Sequence, residues 1–363
     1  MSRADAALDL IANLALAGVA AAVVVRPKVV SRIASSPLLP KATALTRGAA
    51  RRLRPAPAPP RPLARAKQKA DELARIISRY APQAQRRRQE VARSAGRRLN
   101  GSAAMLAFSV LADSAVEHYR GSFENRAMYT PLAAAALTLG ASLFGAADAR
   151  ASKHVMRDTI YASAAAAGCA GLGFHSYNIL KRPGHWSWLN LFYAAPIGAP
   201  MALALAGLLG RGAERVRDIR PHRRATVLGL PAGRMLAGVT AAGLAGTVGE
   251  AGLLHFRGAY HDPFMLLPVT VPPVAAVLLG ASALHPHRTT HRLTRWWLRL
   301  TALLGFAGVG FHAYGVSRNM GGWRNWSQNV LNGPPLPAPP SFTGLALAGL
   351  AALSLIEEAE TDA

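Results

Sequence analysis

Four histidines, His118, His175, His255 and His312, are the residues of this chain best suited to chemistry. They form two pairs, and 57 residues separate the members of each. A carboxylate stands five residues before the first histidine of each pair (Asp113, Glu250), and an arginine two residues after it (Arg120, Arg257). Neutral imidazole is a good ligand for iron, copper and zinc. The expected cofactor is therefore haem b or a transition metal. Haem would be held by His118 with His175 and by His255 with His312. A compact metal centre would instead draw all four together, with Asp113 and Glu250 beside them.

Five positions turn a regular helix through about 140°, so a carboxylate and the following histidine do not share a face. Asp113 with Arg120, and Glu250 with Arg257, do share one, seven residues apart. Each carboxylate can thus pair with its own arginine or orient a histidine on a neighbouring helix. The second histidine of each pair sits in a G-[LV]-G-F-H-[SA]-Y frame, and Gly171, Gly173, Gly308 and Gly310 clear space for another helix or a flat cofactor. Two such histidines on adjacent spans resemble, in arrangement alone, the bis-histidine haem ligation of b-type membrane cytochromes. The competing reading is structural. A histidine at a helix end commonly bonds a loop carbonyl, and the HYRG and HFRG stretches then staple their loops, with the glycine supplying the turn.

The pairing of these residues reflects an internal repeat. EHYRGSFENRAMYTPL at 117–132 returns as LHFRGAYHDPFMLLPV at 254–269, and AGLGFHSY at 170–177 as AGVGFHAY at 307–314. Gly184 and Trp186 return as Gly321 and Trp323, and all these matches share an offset of 137 residues. ALALAGL at 202–208 reappears within GLALAGL at 344–350 after a short insertion.

The elements that must position these residues are apolar. Half the chain is hydrophobic (51%) and only 17% is charged, a mixture rich in Ala, Leu, Gly and Val that suits packed membrane helices. Apolar runs lie near 102–119, 131–149, 158–179, 189–210, 232–255, 264–284, 296–315 and 341–357, with a further one at 10–25. The expectation is an all-α integral membrane protein of nine spans. It divides into an N-terminal membrane helix (1–25), a basic linker (26–100), membrane repeat 1 (101–225) and membrane repeat 2 (226–363). Four spans per repeat is an even number, so both repeats insert in the same orientation.

The net charge of +24 is concentrated: 20 of the 42 Lys and Arg lie between Arg26 and Arg98. The Pro/Arg-rich start of that segment reads as an extended linker. From Leu63 to Leu99 the pattern becomes helical, with Leu73, Ile76, Ile77 and Tyr80 on one face. Beside membrane spans such a helix is expected to lie on anionic lipid headgroups. Nucleic acid is disfavoured because base-stacking aromatics are missing. Arginine-rich connections, including Arg150 to Arg157, Arg211 to Arg224 and Arg288 to Arg299, alternate with poorer ones. The positive-inside rule then places the arm and the C-terminus in the cytoplasm of a bacterial inner membrane, with the four histidines toward the periplasm.

The remaining candidates are weaker. His185 and His261 have no counterpart in the other repeat, and His285, His287 and His291 read as members of a solvated basic loop. Trp186, Trp188, Trp323 and Trp326 fit an interfacial belt. Pro196 with Pro200, and Pro272 with Pro273, are expected to kink or break their spans. The single cysteine, Cys169, excludes an intramolecular disulfide. No P-loop, nucleotide-binding glycine motif, HExxH or nucleophile elbow occurs. The leading expectation is a redox or metal-handling membrane subunit serving a periplasmic redox partner. The alternatives are a small-molecule transporter or permease-like protein, and a cofactorless scaffold or assembly protein.

Overall fold

The computed structural model describes residues 61–363 except 151–152, 219–224, 228, 286–287 and 362–363. The N-terminal run at 10–25 and the Pro/Arg-rich start of the linker lie outside the described residues.

The described chain is all-α apart from a small hairpin. Helix α1 spans Arg61–Arg120. After a 3-10 turn at Arg126–Tyr129 come α2 (Thr130–Ala147), α3 (Val155–Leu180), the short α4 (Trp188–Tyr193) and α5 (Gly198–Arg217). Strands β1 (Thr226–Val227) and β2 (Leu230–Pro231) pair antiparallel around Gly229, whose φ of +76° suits glycine. Then follow α6 (Ala232–Arg257), a 3-10 turn at Pro263–Leu266, α7 (Leu267–Leu284), α8 (Arg288–Arg318), a 3-10 turn at Gly322–Asn325, α9 (Trp326–Asn332) and α10 (Pro340–Thr361). Among the described residues six helical segments are long and apolar enough to cross a membrane: Gln83–Arg120, Arg126–Ala147, Ala232–Arg257, Pro263–Leu284, Thr290–Arg318 and Pro340–Thr361. The exposed side chains of Leu137, Phe144, Val277, Leu303 and Phe306 suit acyl chains, not water. This is the architecture of an α-helical membrane protein.

The core is built around α5 and α10, which are buried almost all round. Small residues permit the close approach. A Cβ on Gly168 would collide with the backbone of Pro200 and Ala204, and one on Gly207 with that of Tyr161 and Ala165. In the same way Gly349 admits Leu298 and Leu279, and Gly344 lies against Ser102 and Met105 of α1.

Several boundaries differ from the sequence expectation. No break separates the basic helix from the first span at residue 100, because α1 runs through it. Ala92, Ala95, Leu99, Ala103 and Leu106 recur at three- and four-residue intervals and are all buried in the core, so the packing of α1 into the helical bundle begins before residue 101. The expected span at 189–210 is two helices. Pro196 lacks an amide N–H, and the chain turns at Ala194–Ile197 before α5 starts at Gly198. By contrast Pro272 and Pro273 do not break α7, which runs on to Leu284.

Corresponding contacts recur at the 137-residue offset. Arg97 Nε donates to the Ala146 carbonyl at 2.8 Å, and Arg234 Nε to the Ala283 carbonyl at 2.6 Å. Each satisfies an otherwise orphaned carbonyl at a helix C-terminus. Ser122 and Phe123 have φ of 55° and 48°, and Ala259 and Tyr260 have 55° and 46°. Two residues out of that register, Asn190 donates to the carbonyls of Pro183 and His185, while Asn329 donates to those of Met320 and Gly322.

Candidate functional site

His118 and His255 lie in the last turn of α1 and of α6, where each chain bends back through a left-handed turn. Each ring is fixed by the segment that follows. His118 Nδ1 lies 2.6 Å from the Met128 carbonyl oxygen and His255 Nδ1 lies 2.7 Å from that of Met265. Phe123 and Tyr260 stand edge-on to these imidazoles, both at a centroid distance of 6.2 Å. His175 on α3 and His312 on α8 are held by the residues that lead to the next long helix. His175 Nδ1 bonds the Pro196 carbonyl, and His312 Nδ1 lies 2.6 Å from that of Pro335.

Carbonyl oxygens only accept, so in all four rings Nδ1 carries the hydrogen. Nε2 then keeps its lone pair, and among the described residues it makes no hydrogen bond in any of the four. This is the second-shell arrangement that orients metal-ligating histidines. It is equally the loop staple of the structural reading. Within each half the two rings lie close enough to interact electrostatically, His175 with His118 and His312 with His255.

The glycines beside the second histidines divide into two kinds. Gly171 and Gly308 make room not for a cofactor but for proline rings: a Cβ there would lie 3.4 Å from Pro200 and 2.7 Å from Pro339. A Cβ on Gly173 or Gly310 would meet nothing within 4 Å.

Neither arginine pairs with its own carboxylate. Arg120 bonds Glu117 at 2.8 Å, one turn back on the same helix. Arg257 donates to the Phe192 carbonyl at 2.9 Å and lies over the Tyr193 ring at 5.1 Å. Phe192 also stacks on Phe256 at 5.8 Å, so α4 is fastened to the end of α6. Glu250 lies within Coulombic reach of Asp113 and accepts from the Gly198 amide at the start of α5, where the helix dipole favours an anion. A Cβ on Gly198 would overlap that carboxylate. Among the described residues neither acid forms an ion pair.

A second polar cluster, at the other end of the helices, was not foreseen from the sequence. Arg157 grips Glu214 through Nε at 2.8 Å and Nη2 at 3.1 Å, and its Nη1 reaches Asp148 at 2.9 Å. Glu214 also accepts from the His154 amide at 2.8 Å. Arg217 caps the end of α2 through the carbonyls of Gly145, Asp148 and Arg150. Arg211 and Lys153 both pair with Asp158, at 3.2 Å and 2.7 Å. Arg211 and Arg217, expected in a basic loop, are thus buried on α5. The Arg150 backbone amide, with Arg157 and Arg150 side chains, lowers the Asp148 carboxyl to about 2. A clue was available in the sequence, since Asp148, Asp158 and Glu214 interrupt an otherwise arginine-rich side.

The outlying histidines sort themselves by their contacts. His185 and His261 bond nearby carbonyls of their own loops. His285 is exposed at the end of α7, and His287 lies outside the described residues. His291 is not solvated: it is 3% exposed and faces Glu357 and Glu360.

No group of three or more His, Cys, Asp or Glu side chains among the described residues is arranged to hold a metal ion. Comparison with protein-family models, with curated proteins and with solved structures gives no match for this chain.

Proposed function

We propose that this protein is a haem-binding redox subunit of a bacterial inner membrane, with one bis-imidazole site in each of two tandem repeats. The observation that carries the reading is the shared state of the four imidazoles. Each is oriented through Nδ1, has no hydrogen bond at Nε2 among the described residues, and lies within electrostatic reach of its partner's ring. A metal held by protein alone wants about four ligands, and two imidazoles do not supply them. Haem carries four ring nitrogens of its own and would ask the protein for one or two ligands, which histidines can supply, so it fits better than a bare transition metal. His118 with His175 and His255 with His312 would hold it, and the open space at Gly173 and Gly310 suits a flat ring. Bound haem would supply one-electron transfer; the chain's own part is to orient the imidazoles.

The repeat belongs to the same proposal. The contacts that recur at one offset support two four-helix units in the same orientation, related by an axis along the membrane normal. Nine spans follow if residues 10–25, α3 and the α4–α5 segment also cross. Loop charge supports a cytoplasmic arm and C-terminus, with the four histidines facing a periplasmic redox partner. Residues 26–100 supply the charge for contact with anionic lipid.

The test is an optical spectrum of the purified protein together with metal analysis. A Soret band that is lost in part in His175→Ala, and in part in His312→Ala, is the expected result. A protein without Soret absorption or stoichiometric metal overturns the reading. One observation favours a second reading, a transporter: Asp113 and Glu250, one from each half, lie within Coulombic reach of each other without an ion pair among the described residues, and intramembrane carboxylates commonly line ion or proton paths. Substrate-dependent uptake into proteoliposomes that Glu250→Gln abolishes would select it.

A further inference from the structure

Helix α10 ends in Glu357, Glu358 and Glu360, which places carboxylates at the negative end of the helix dipole. Cations gather around them. Arg88 Nε lies 3.3 Å from Glu358, and Arg295 pairs with Glu357. The imidazole of His291, from the first turn of α8, fits between two of the acids. Its Nδ1 is 3.9 Å from Glu357 Oε1, and its Nε2 is 3.6 Å from Glu360 Oε1. The ring is 3% exposed. Both Nε2 and the Glu360 oxygen facing it are buried without a hydrogen-bond partner.

A neutral imidazole donates from one nitrogen only, whereas an imidazolium donates from both. With a carboxylate oxygen off each ring nitrogen, the neutral form must set one lone pair against an anion. We infer that His291 is the proton-binding element of a clasp between α8 and the C-terminal end of α10, closed when the ring is protonated and loosened when it is neutral.

The other half shows why a histidine is needed here. His154 occupies the matching position 137 residues earlier, and there Glu214 takes the His154 amide. Arg157 supplies Glu214 with a permanent cation. The counterpart of Arg157 is Thr294, which is neutral and faces Ser282 of α7. Among the described residues the charged groups at this end of α10 are Glu357, Glu358 and Glu360 from α10, Arg295 from α8 and Arg88 from α1, with the neutral Ser282–Thr294 pair one turn further along α8. Glu357 and Glu360 face the two ring nitrogens directly, so a proton on His291 would set a cation between two anions. Helix α10 follows directly on the Pro335 segment that holds His312, so the clasp secures the far end of the element leading away from that site. The inference does not depend on what the histidine pairs bind.

The experiment is hydrogen exchange on the full chain in lipid nanodiscs, read at residues 354–361 at about pH 6 and about pH 8.5, on either side of the range in which histidines usually titrate. After correction for intrinsic exchange rates, the wild type should exchange about threefold faster at the higher pH, in the range expected for loss of one partly screened ion pair. His291→Gln, which keeps a donor but cannot titrate, should show no such difference. Should that variant fail to fold, Glu360→Gln serves in its place and should reduce the difference. Equal exchange at both pH values in the wild type, or an undiminished pH dependence in the folded variant, overturns the clasp.

Discussion

His118 Nδ1 lies 2.6 Å from the carbonyl oxygen of Met128, so the ring's remaining nitrogen, Nε2, is the one free for a ligand. The two roles of that ring can be separated. Asparagine can place an amide N–H near the Nδ1 position but puts nothing at Nε2; glutamine does the reverse. His118→Asn should keep the melting temperature near the wild type yet lose one bound centre in the optical spectrum. His118→Gln should lose stability, by about 1 kcal/mol for one hydrogen bond. A His118→Asn protein that retains every cofactor band would show that the ring is a loop staple.

Glu250 and Gly198 form a contact with no slack, since a methyl group at residue 198 would occupy the position of the carboxylate. Gly198→Ala should cost about 1–3 kcal/mol, the usual range for overpacking. Adding Glu250→Ala should recover part of that loss, because the two changes share one space. Thermal denaturation of the four proteins of the cycle measures the coupling, and additive effects would place Glu250 elsewhere.

Glu214 is fully buried and meets both nitrogens of the Arg157 fork. Glu214→Gln leaves the guanidinium buried with Asp148 as its remaining acid, and should cost roughly 3 kcal/mol. Arg157→Met together with Glu214→Leu should cost much less than the sum of the two single changes. Chemical denaturation in detergent checks both statements.

Asp148 makes the fold sensitive to acid. Its carboxyl is lowered in the folded protein to about 2, against about 3.9 in an unfolded chain. The stabilisation is therefore complete above pH ~4 and is lost as the pH falls toward 2. The melting temperature should drop across that window, and Asp148→Asn, less stable at neutral pH, should show a shallower drop. A profile with the same slope in both proteins would assign the acid sensitivity to other groups.

Truncation should discriminate between two parts of the basic segment. Ala92, Ala95 and Leu99 are core residues, whereas the Pro/Arg-rich stretch carries charge and few groups able to pack. Deleting residues 26–82 should leave a folded, inserted bundle with weaker binding to anionic vesicles. Deleting 26–100 should give aggregated protein. Recovery of monodisperse protein from the longer deletion, by size-exclusion chromatography, would show that α1 is dispensable before residue 101.

The sequence by itself was enough for the helical class and for the candidate histidines. Apolar runs of bilayer length need no tertiary information, and a shared offset makes His118 comparable with His255, and His175 with His312. It was also enough to expect a chain break around Pro196, where a missing amide N–H acts locally. Tertiary structure decided the rest, for reasons that spacing does not carry. Asp113 and Arg120 share a helix face, but which neighbour faces them depends on helix rotation and packing; Arg120 found Glu117, and Asp113 forms no ion pair among the described residues. Arg157, Arg211 and Arg217 resemble loop cations because hydropathy averages over all faces of a helix, while Asp148, Asp158 and Glu214 stand on segments that meet only after folding. Gly171 reads as empty space in sequence and is filled by Pro200. His291, in a basic stretch of sequence, becomes a buried ring between two carboxylates because α10 brings its acidic end to α8.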